Sequence, residues 1–211
     1  MTLENSLRER IALYGKSLFD RGYGCGSSGN ISVRLEDGIL VTPTNSSMGR
    51  LDPARISRLD WEGRLISGDK PSKEAFLHLA MYQERPDERA VVHLHSTHSV
   101  AVSCMADIDP QNVLPPITAY YVMRVGKLPL LPYYRPGDMA LADAVRAAAR
   151  EHKAMLLANH GPVVAGKDLE AAVYAAEELE ETAKLFLLLR GERTRYLTRE
   201  QIADLGVHFP D

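Results

Sequence analysis

Leu3, Leu7, Ile11, Tyr14, Leu18 and Phe19 recur at three- and four-residue spacings, which predicts an amphipathic helix over residues 3–21, ended by Gly22-Tyr23-Gly24. The period then changes to two. Ile31-Ser32-Val33-Arg34-Leu35 alternates as a half-buried strand does, Glu36-Asp37-Gly38 turns the chain, and Ile39-Leu40-Val41-Thr42 returns it as a hairpin. Residues 56–60 and 64–67, separated at Glu62-Gly63, predict a further pair of short strands. Pro71 opens a helix reaching residue 84, and an apolar strand follows over 90–94. Prolines and aromatics interrupt the pattern from Pro110 to Pro136, where only a short strand near 128–131 is predicted. Asp138 is placed to cap a helix reaching residue 150. Apolar strands at 155–158 and 163–165 flank Asn159-His160-Gly161-Pro162, and helices over 168–189 and 198–205 complete the chain. Hairpins first and helices throughout predict a three-layer α/β protein with a mainly antiparallel central sheet flanked by helices.

The 211 residues suit one domain over 1–211, because a single core keeps growing up to about 250–300 residues. With 45% apolar and 25% charged residues the composition is that of a globular protein, and no apolar run approaches the roughly 20 residues needed to cross a bilayer. The N-terminal segment mixes both charge signs and lacks the apolar run of a signal peptide, so the expected location is the cytoplasm. A net charge of -3, with both signs interspersed, offers no basic face for nucleic acid. Cys25 and Cys104 are too few for a disulfide framework or a thiolate cluster.

The chemistry centres on histidine. His93-Leu94-His95 puts two imidazoles on one face of a strand, where they can share one ion. His160, in the tight Asn-His-Gly-Pro turn, is a third candidate that packing does not require. Three neutral imidazoles leave an open coordination position, which suits a catalytic zinc acting as a Lewis acid. His78, His152 and His208 read as packed or surface histidines, and His98, three residues past the pair, as a candidate to orient a ligand from behind. Gly26-Ser27-Ser28-Gly29-Asn30 and Thr42-Pro43-Thr44-Asn45-Ser46-Ser47 supply backbone N–H groups, hydroxyls and amides that suit a phosphate. Pro71-Ser72-Lys73-Glu74 at a predicted helix start adds N–H groups and a positive charge. The same Ser72 would also serve as a plain helix cap, with Lys73 and Glu74 as a solvated first turn.

Taken in order, Gly29-Asn30-Ile31-Ser32-Val33-Arg34, Thr42-Pro43-Thr44, Pro71-Ser72-Lys73-Glu74, His93-Leu94-His95-Ser96 and Ala158-Asn159-His160-Gly161 resemble the class II aldolase/epimerase family, typified by L-fuculose-phosphate aldolase and L-ribulose-5-phosphate 4-epimerase. The resemblance spans nearly the whole chain. It implies that His93, His95 and His160 bind Zn2+, or another divalent cation such as Mn2+ or Co2+. It also implies that Glu74 is the acid/base and a fourth metal ligand, that Asn30, Thr44, Asn45 and Ser72 surround a substrate phosphate, and that Tyr120 is a proton donor. The sequence departs from the aldolase where Thr-Gly becomes Thr44-Asn45 and where Ser-Ser before the glutamate becomes Ser72-Lys73. Pro115-Pro116-Ile117-Thr118-Ala119-Tyr120-Tyr121-Val122-Met123 and Leu131-Pro132-Tyr133-Tyr134-Arg135-Pro136-Gly137-Asp138 look most like the 3-oxo-tetronate 4-phosphate decarboxylase branch. That branch implies decarboxylation to dihydroxyacetone phosphate through a metal-stabilised enediolate, with Lys73 or Arg124 recognising the substrate carboxylate. The family further implies a small phosphorylated keto-acid or sugar substrate and a homotetramer with interfacial active sites. Two other readings remain: an aldolase or epimerase acting on a fuculose- or ribulose-phosphate-like sugar, and a non-catalytic module like the adducin head domain.

Overall fold

The computed structural model describes residues 2–135 and 137–209; Pro136, within the Leu131 to Asp138 motif, lies outside them. The chain forms helices α1 (Leu3–Asp20), α2 (Ala75–Glu84), α3 (Thr97–Ser103), α4 (Ala119–Arg124), α5 (Ala140–Ala149), α6 (Leu169–Leu188) and α7 (Arg199–His208). Its strands are β1 (Asn30–Arg34), β2 (Gly38–Val41), β3 (Ser57–Asp60), β4 (Leu65–Ser67), β5 (Ala90–His93), β6 (Leu130–Leu131), β7 (Ala154–Leu157) and β8 (Gly161–Gly166). One sheet runs in the order β4-β3-β2-β1-β5-β8-β7-β6. Every pairing is antiparallel except β6 with β7, so the predicted three-layer α/β architecture holds, with one parallel edge.

Alternation along the strands feeds two cores. Ile31, Val33, Ala90, Val92, Leu94 and Val164 pack with Ile11 and Leu18 of α1, Val102 of α3, Tyr121 of α4 and Val173 and Leu179 of α6. Val91, Val163 and Ala165 turn the other way, onto Leu77 and Met81 of α2 and Leu141 and Val145 of α5. Each such fully buried aliphatic side chain contributes about 1.5–3 kcal/mol, which makes both layers necessary to the sheet. The long helices start where side chains satisfy their first N–H groups: Thr2 accepts from Asn5 N ahead of α1, and Asp168 accepts from Ala171 N ahead of α6. No helix among the described residues is long and apolar enough to cross a membrane.

Four local expectations change. The helix foreseen from Pro71 begins at Ala75, because Pro71 forms an isolated bridge with Pro43 and the Ser72 N–H donates to the Thr42 carbonyl. β5 ends at His93 and leaves His95 just beyond the strand. Asp138 accepts from Ala140 N at 3.0 Å, but the helix starts at Ala140 with Met139 at its N-cap position and no side-chain cap bond there, one residue later than a cap at Asp138 implies. α3 and α4, of seven and six residues, are too short to show a period in the sequence.

Candidate metal centre

β1, β5 and β8 are the middle strands of the sheet, and their register sets Asn30, His93 and Val163 level with one another at one end of it. His93 is therefore fully buried. Beyond it the Leu94 N–H still bonds the Pro162 carbonyl, at 3.2 Å, which keeps the backbone along β8 and brings His95 back to the same side. The Nε2 atoms of His93 and His95 stand 3.1 Å apart.

His160 comes from the turn before β8, and Gly161 lets it approach. A Cβ at Gly161 would stand 2.1 Å from the Leu94 carbonyl oxygen, so the two strand ends could not meet with any other residue there. Asn159 takes φ of +55°, a left-handed conformation that asparagine tolerates. His160 Nε2 then lies 3.0 Å from His95 Nε2. Glu74, immediately before α2, closes the group, with its carboxylate oxygens 3.1 Å from His160 Nε2 and 3.4 Å from His93 Nε2. The donor atoms of Glu74, His93, His95 and His160 all lie within 4.8 Å of one another.

The protonation states suit a cation. His93 Nδ1 donates to the Pro162 carbonyl at 2.8 Å, which fixes the tautomer and turns the bare Nε2 lone pair towards the other ligands. Burial lowers the pKa of His93, and burial followed by the neighbouring His93 and His160 pushes His95 down to about 3. For Glu74, burial alone acts to raise the pKa, but His93, His160 and the Asn30 amide outweigh it and hold the carboxyl well below the usual range. A cation placed among nitrogens about 3 Å apart could take a lone pair from each. Their spacing is close to the edge, about 3.3 Å, of a tetrahedron built on bonds of about 2.0 Å to imidazole nitrogen. Three imidazoles and a carboxylate are thus a donor set that fits a divalent metal ion.

The loops expected to take a phosphate converge beside this group. The Pro43–Pro71 bridge is flanked by Thr44 N donating to the Lys70 carbonyl at 2.9 Å and Ser72 N donating to the Thr42 carbonyl at 3.1 Å, so Thr44 and Ser72 are tied side by side. Asn45 is exposed with φ of +55°. Asparagine is thus a backbone-compatible replacement for the aldolase's glycine. Ser72 N is committed to Thr42, and Ser72 Oγ accepts from Glu74 N at 3.2 Å, so this segment presents its hydroxyl and the exposed Lys73 rather than the free helix-start N–H groups expected of it. Asn30 is 3% exposed, and its Nδ2 donates to Glu74 Oε2 at 2.8 Å. Tyr120 stands apart from this group on α4, 59% exposed, with the Arg124 guanidinium over its ring.

Two polar groups escaped the sequence reading. His78, assigned to packing, bridges Asn30 Oδ1 and Ser32 Oγ, and Ser32 Oγ also meets the Tyr82 hydroxyl. The available signal was Glu74, His78 and Tyr82 at four-residue intervals facing Asn30 and Ser32 at a two-residue interval. Glu180, on α6 and 5% exposed, accepts from the backbone N–H groups of His98 and Ser99, both at 2.8 Å, and so holds the start of α3 directly after the His95 segment. His98 Nδ1 also contacts Glu180, at 2.8 Å, and its ring therefore orients α3 rather than a metal ligand.

Relatives match this chain over most of its length. A 3-oxo-tetronate 4-phosphate decarboxylase of Haemophilus influenzae is 54% identical over 199 residues, covering 94% of this chain and 95% of its own. An L-fuculose phosphate aldolase of Escherichia coli is 38% identical over 168 residues, covering 79% and 75%. The crystal structure of YgbL from Escherichia coli superimposes with a TM-score of 0.94 at 50% identity, covering 97% of this chain and 99% of that one. Residues 9–187 match the model of the class II aldolase and adducin N-terminal domain, and the chain belongs to that family.

Proposed function

We propose that this protein is a metal-dependent carbon–carbon lyase that decarboxylates a 3-oxo-tetronate 4-phosphate to dihydroxyacetone phosphate and carbon dioxide. The observation that carries the reading is the 54% identity, over 94% of the chain, to a relative bearing that name, against 38% over 79% for one named as an aldolase. The retained donor set argues against a non-catalytic module.

His93, His95, His160 and Glu74 would hold Zn2+, or Mn2+ or Co2+ in its place. Such a cation, when bound, supplies a Lewis acid that polarises the substrate's keto oxygen. In the reaction the C1–C2 bond breaks, its electron pair stays on C2 in conjugation with the C3 carbonyl, and C2 takes up a proton. Glu74, ionised in the free protein, relays that proton from water to C2. Thr44, Asn45, Ser72 and the remaining Asn30 N–H bind the phosphate, and Lys73 faces the substrate's carboxylate or phosphate. Tyr120, exposed on α4, is the alternative donor of that one proton, reaching a neighbouring protomer's site within a homotetramer. The protein acts in the cytoplasm as one domain spanning 1–211.

The test supplies 3-oxo-tetronate 4-phosphate to the metal-loaded protein and measures dihydroxyacetone phosphate and bicarbonate through coupled enzymes. Equal amounts of both are expected. Release of an aldehyde without bicarbonate would sink the decarboxylase reading and leave an aldolase.

A further inference from the structure

We infer that His78 is a positioning residue that aims Glu74 through Asn30, an inference that rests on the acid/base role proposed for Glu74. Asn30 and Ser32 lie two apart on β1 and face Glu74, at the N-cap of α2, and His78 and Tyr82 within that helix, the three following one another at intervals of four. Their polar atoms form one continuous chain. Tyr82 Oη meets Ser32 Oγ at 2.8 Å, Ser32 Oγ meets His78 Nδ1 at 2.7 Å, His78 Nε2 meets Asn30 Oδ1 at 2.5 Å, and Asn30 Nδ2 meets Glu74 Oε2 at 2.8 Å. Asn30, Ser32, His78 and Tyr82 are all buried.

The orientation of the Asn30 amide fixes the direction of every proton in the chain. Asn30 turns its amide nitrogen to Glu74 Oε2 and its carbonyl oxygen to His78 Nε2. That oxygen only accepts, so the imidazole proton sits on His78 Nε2. Burial pushes His78 down to about 3, so the ring is neutral and carries a single proton. Nδ1 is then a bare acceptor, the Ser32 hydroxyl donates to it, and the Tyr82 hydroxyl donates to Ser32. All four donors point towards Glu74, an ordering in which each bond polarises the next.

His78 thereby decides which end of the Asn30 amide meets the carboxylate. With the proton on Nδ1, or with no imidazole, the amide has no reason to hold its orientation. A half-turn would set its carbonyl oxygen against Glu74, two acceptors face to face, and the carboxylate would swing away from the reacting carbon. His78 touches none of the proposed metal donors, and it reaches the phosphate only through Asn30, whose second amide N–H is proposed to bind it, so losing His78 should lower turnover and weaken substrate binding with it.

The experiment pairs a spectroscopic reading of the full-length protein with kinetics. Long-range 1H–15N correlations on 15N-histidine-labelled protein should show His78 protonated at Nε2 and bare at Nδ1 throughout about pH 5–8. Replacement His78→Phe should lower kcat roughly 10–100-fold, the range typical of partners that orient a ligand from behind, and raise KM as well, since the same Asn30 amide is proposed to hold the phosphate. A proton on Nδ1, an imidazolium, a wild-type kcat in folded His78→Phe protein, or a raised KM at unchanged kcat would each overturn the inference. If the variant fails to fold, the tautomer decides alone. Failure of the underlying reading looks different: wild-type protein would release no carbon dioxide, or Glu74→Gln would keep full turnover, whatever the His78 tautomer.

Discussion

Replacing Glu180 by glutamine tests whether α6 holds the segment that follows the metal-site histidines. The carboxylate accepts four bonds: Oε1 from His98 N and His98 Nδ1, both at 2.8 Å, and Oε2 from Ser99 N at 2.8 Å and Ser99 Oγ at 2.6 Å. Glutamine keeps the shape and exchanges one acceptor oxygen for an NH2 group. In either orientation that NH2 faces one backbone N–H, of His98 or of Ser99, and the ring or hydroxyl beside it can adapt while the N–H cannot. One buried N–H left without an acceptor costs about 1–3 kcal/mol, and the change from charged to neutral acceptor weakens the surviving bonds by about 1 kcal/mol more. The expected loss is about 2–4 kcal/mol, which for a chain of this size lowers Tm by roughly 5–15 °C at fixed protein concentration.

The loss should also depend on pH. Burial acts to raise the Glu180 pKa, but the Ser99 hydroxyl and the His98 and Ser99 N–H groups outweigh it, so the folded value lies below the unfolded one of about 4.3. In the interval between the two values the unfolded chain binds more protons, so the carboxylate's contribution is complete above about pH 4.3 and fades as pH falls through the folded value. Thermal melts of wild type and Glu180→Gln should therefore lie far apart at neutral pH and draw together in acid. A variant melting within about 1 °C of wild type at neutral pH, or a gap that widens on acidification, would refute the reasoning.

The remaining expectations concern the metal centre and the loops around it. Treatment with a strong chelator should lower both Tm and activity, and stoichiometric Zn2+, Mn2+ or Co2+ should restore them, with about one ion per chain by elemental analysis; a chelated protein that keeps full activity would rule out the metal role. Gly161→Ala forces a methyl group into the Leu94 carbonyl, so the β5 and β8 ends must part; a loss of about 1–3 kcal/mol in urea unfolding is expected, together with weaker metal retention. At Asn45, held at φ of +55°, glycine should be tolerated within about 1 kcal/mol, whereas valine should cost about 1–2 kcal/mol and raise KM for a phosphorylated substrate. Equal stability of the two Asn45 variants would show that the loop does not need its left-handed residue.

Long elements were legible in the sequence because their side chains had to serve one buried face each. The stripe Leu7, Ile11, Leu18 marked α1, and the alternation of residues 31–35 marked β1. α3, α4 and the two-residue β6 were not legible, since seven, six and two residues are held by distant partners rather than by a period of their own. Glu180 supports α3 from 81 residues away, and Leu130 and Leu131 lean on β7. The same contrast runs through the site. His93 and His95 were readable as a pair because strand geometry is local, and His160 because its turn is. Glu74 entered only through the resemblance, and the Tyr82–Ser32–His78 chain showed only as matched spacings, because its bonds exist only once α2 lies across β1. Thr44 and Ser72 do lie side by side, but the Pro43–Pro71 bridge between their loops uses the Ser72 backbone N–H, one of the helix-start N–H groups that the sequence suggested were free for an anion.

Where the chain departs from the aldolase pattern also says which parts of the site are built to stay fixed. The three imidazoles are set by β5, β8 and the tight approach at Gly161, so changing any of them disturbs the centre of the sheet. Asn45 and Lys73 lie instead on the two loops joined at Pro43–Pro71, both exposed, where substitution leaves the strands untouched. One of these changes preserves the backbone, because asparagine can occupy the left-handed position. The other adds a positive charge beside Ser72. A substrate with a carboxylate in addition to its phosphate carries more negative charge than an aldol sugar phosphate, and a mobile ammonium at the rim can meet it without altering the metal donors. On this argument the fixed centre would set the shared carbanion chemistry, while the loops would select which carbon fragment leaves.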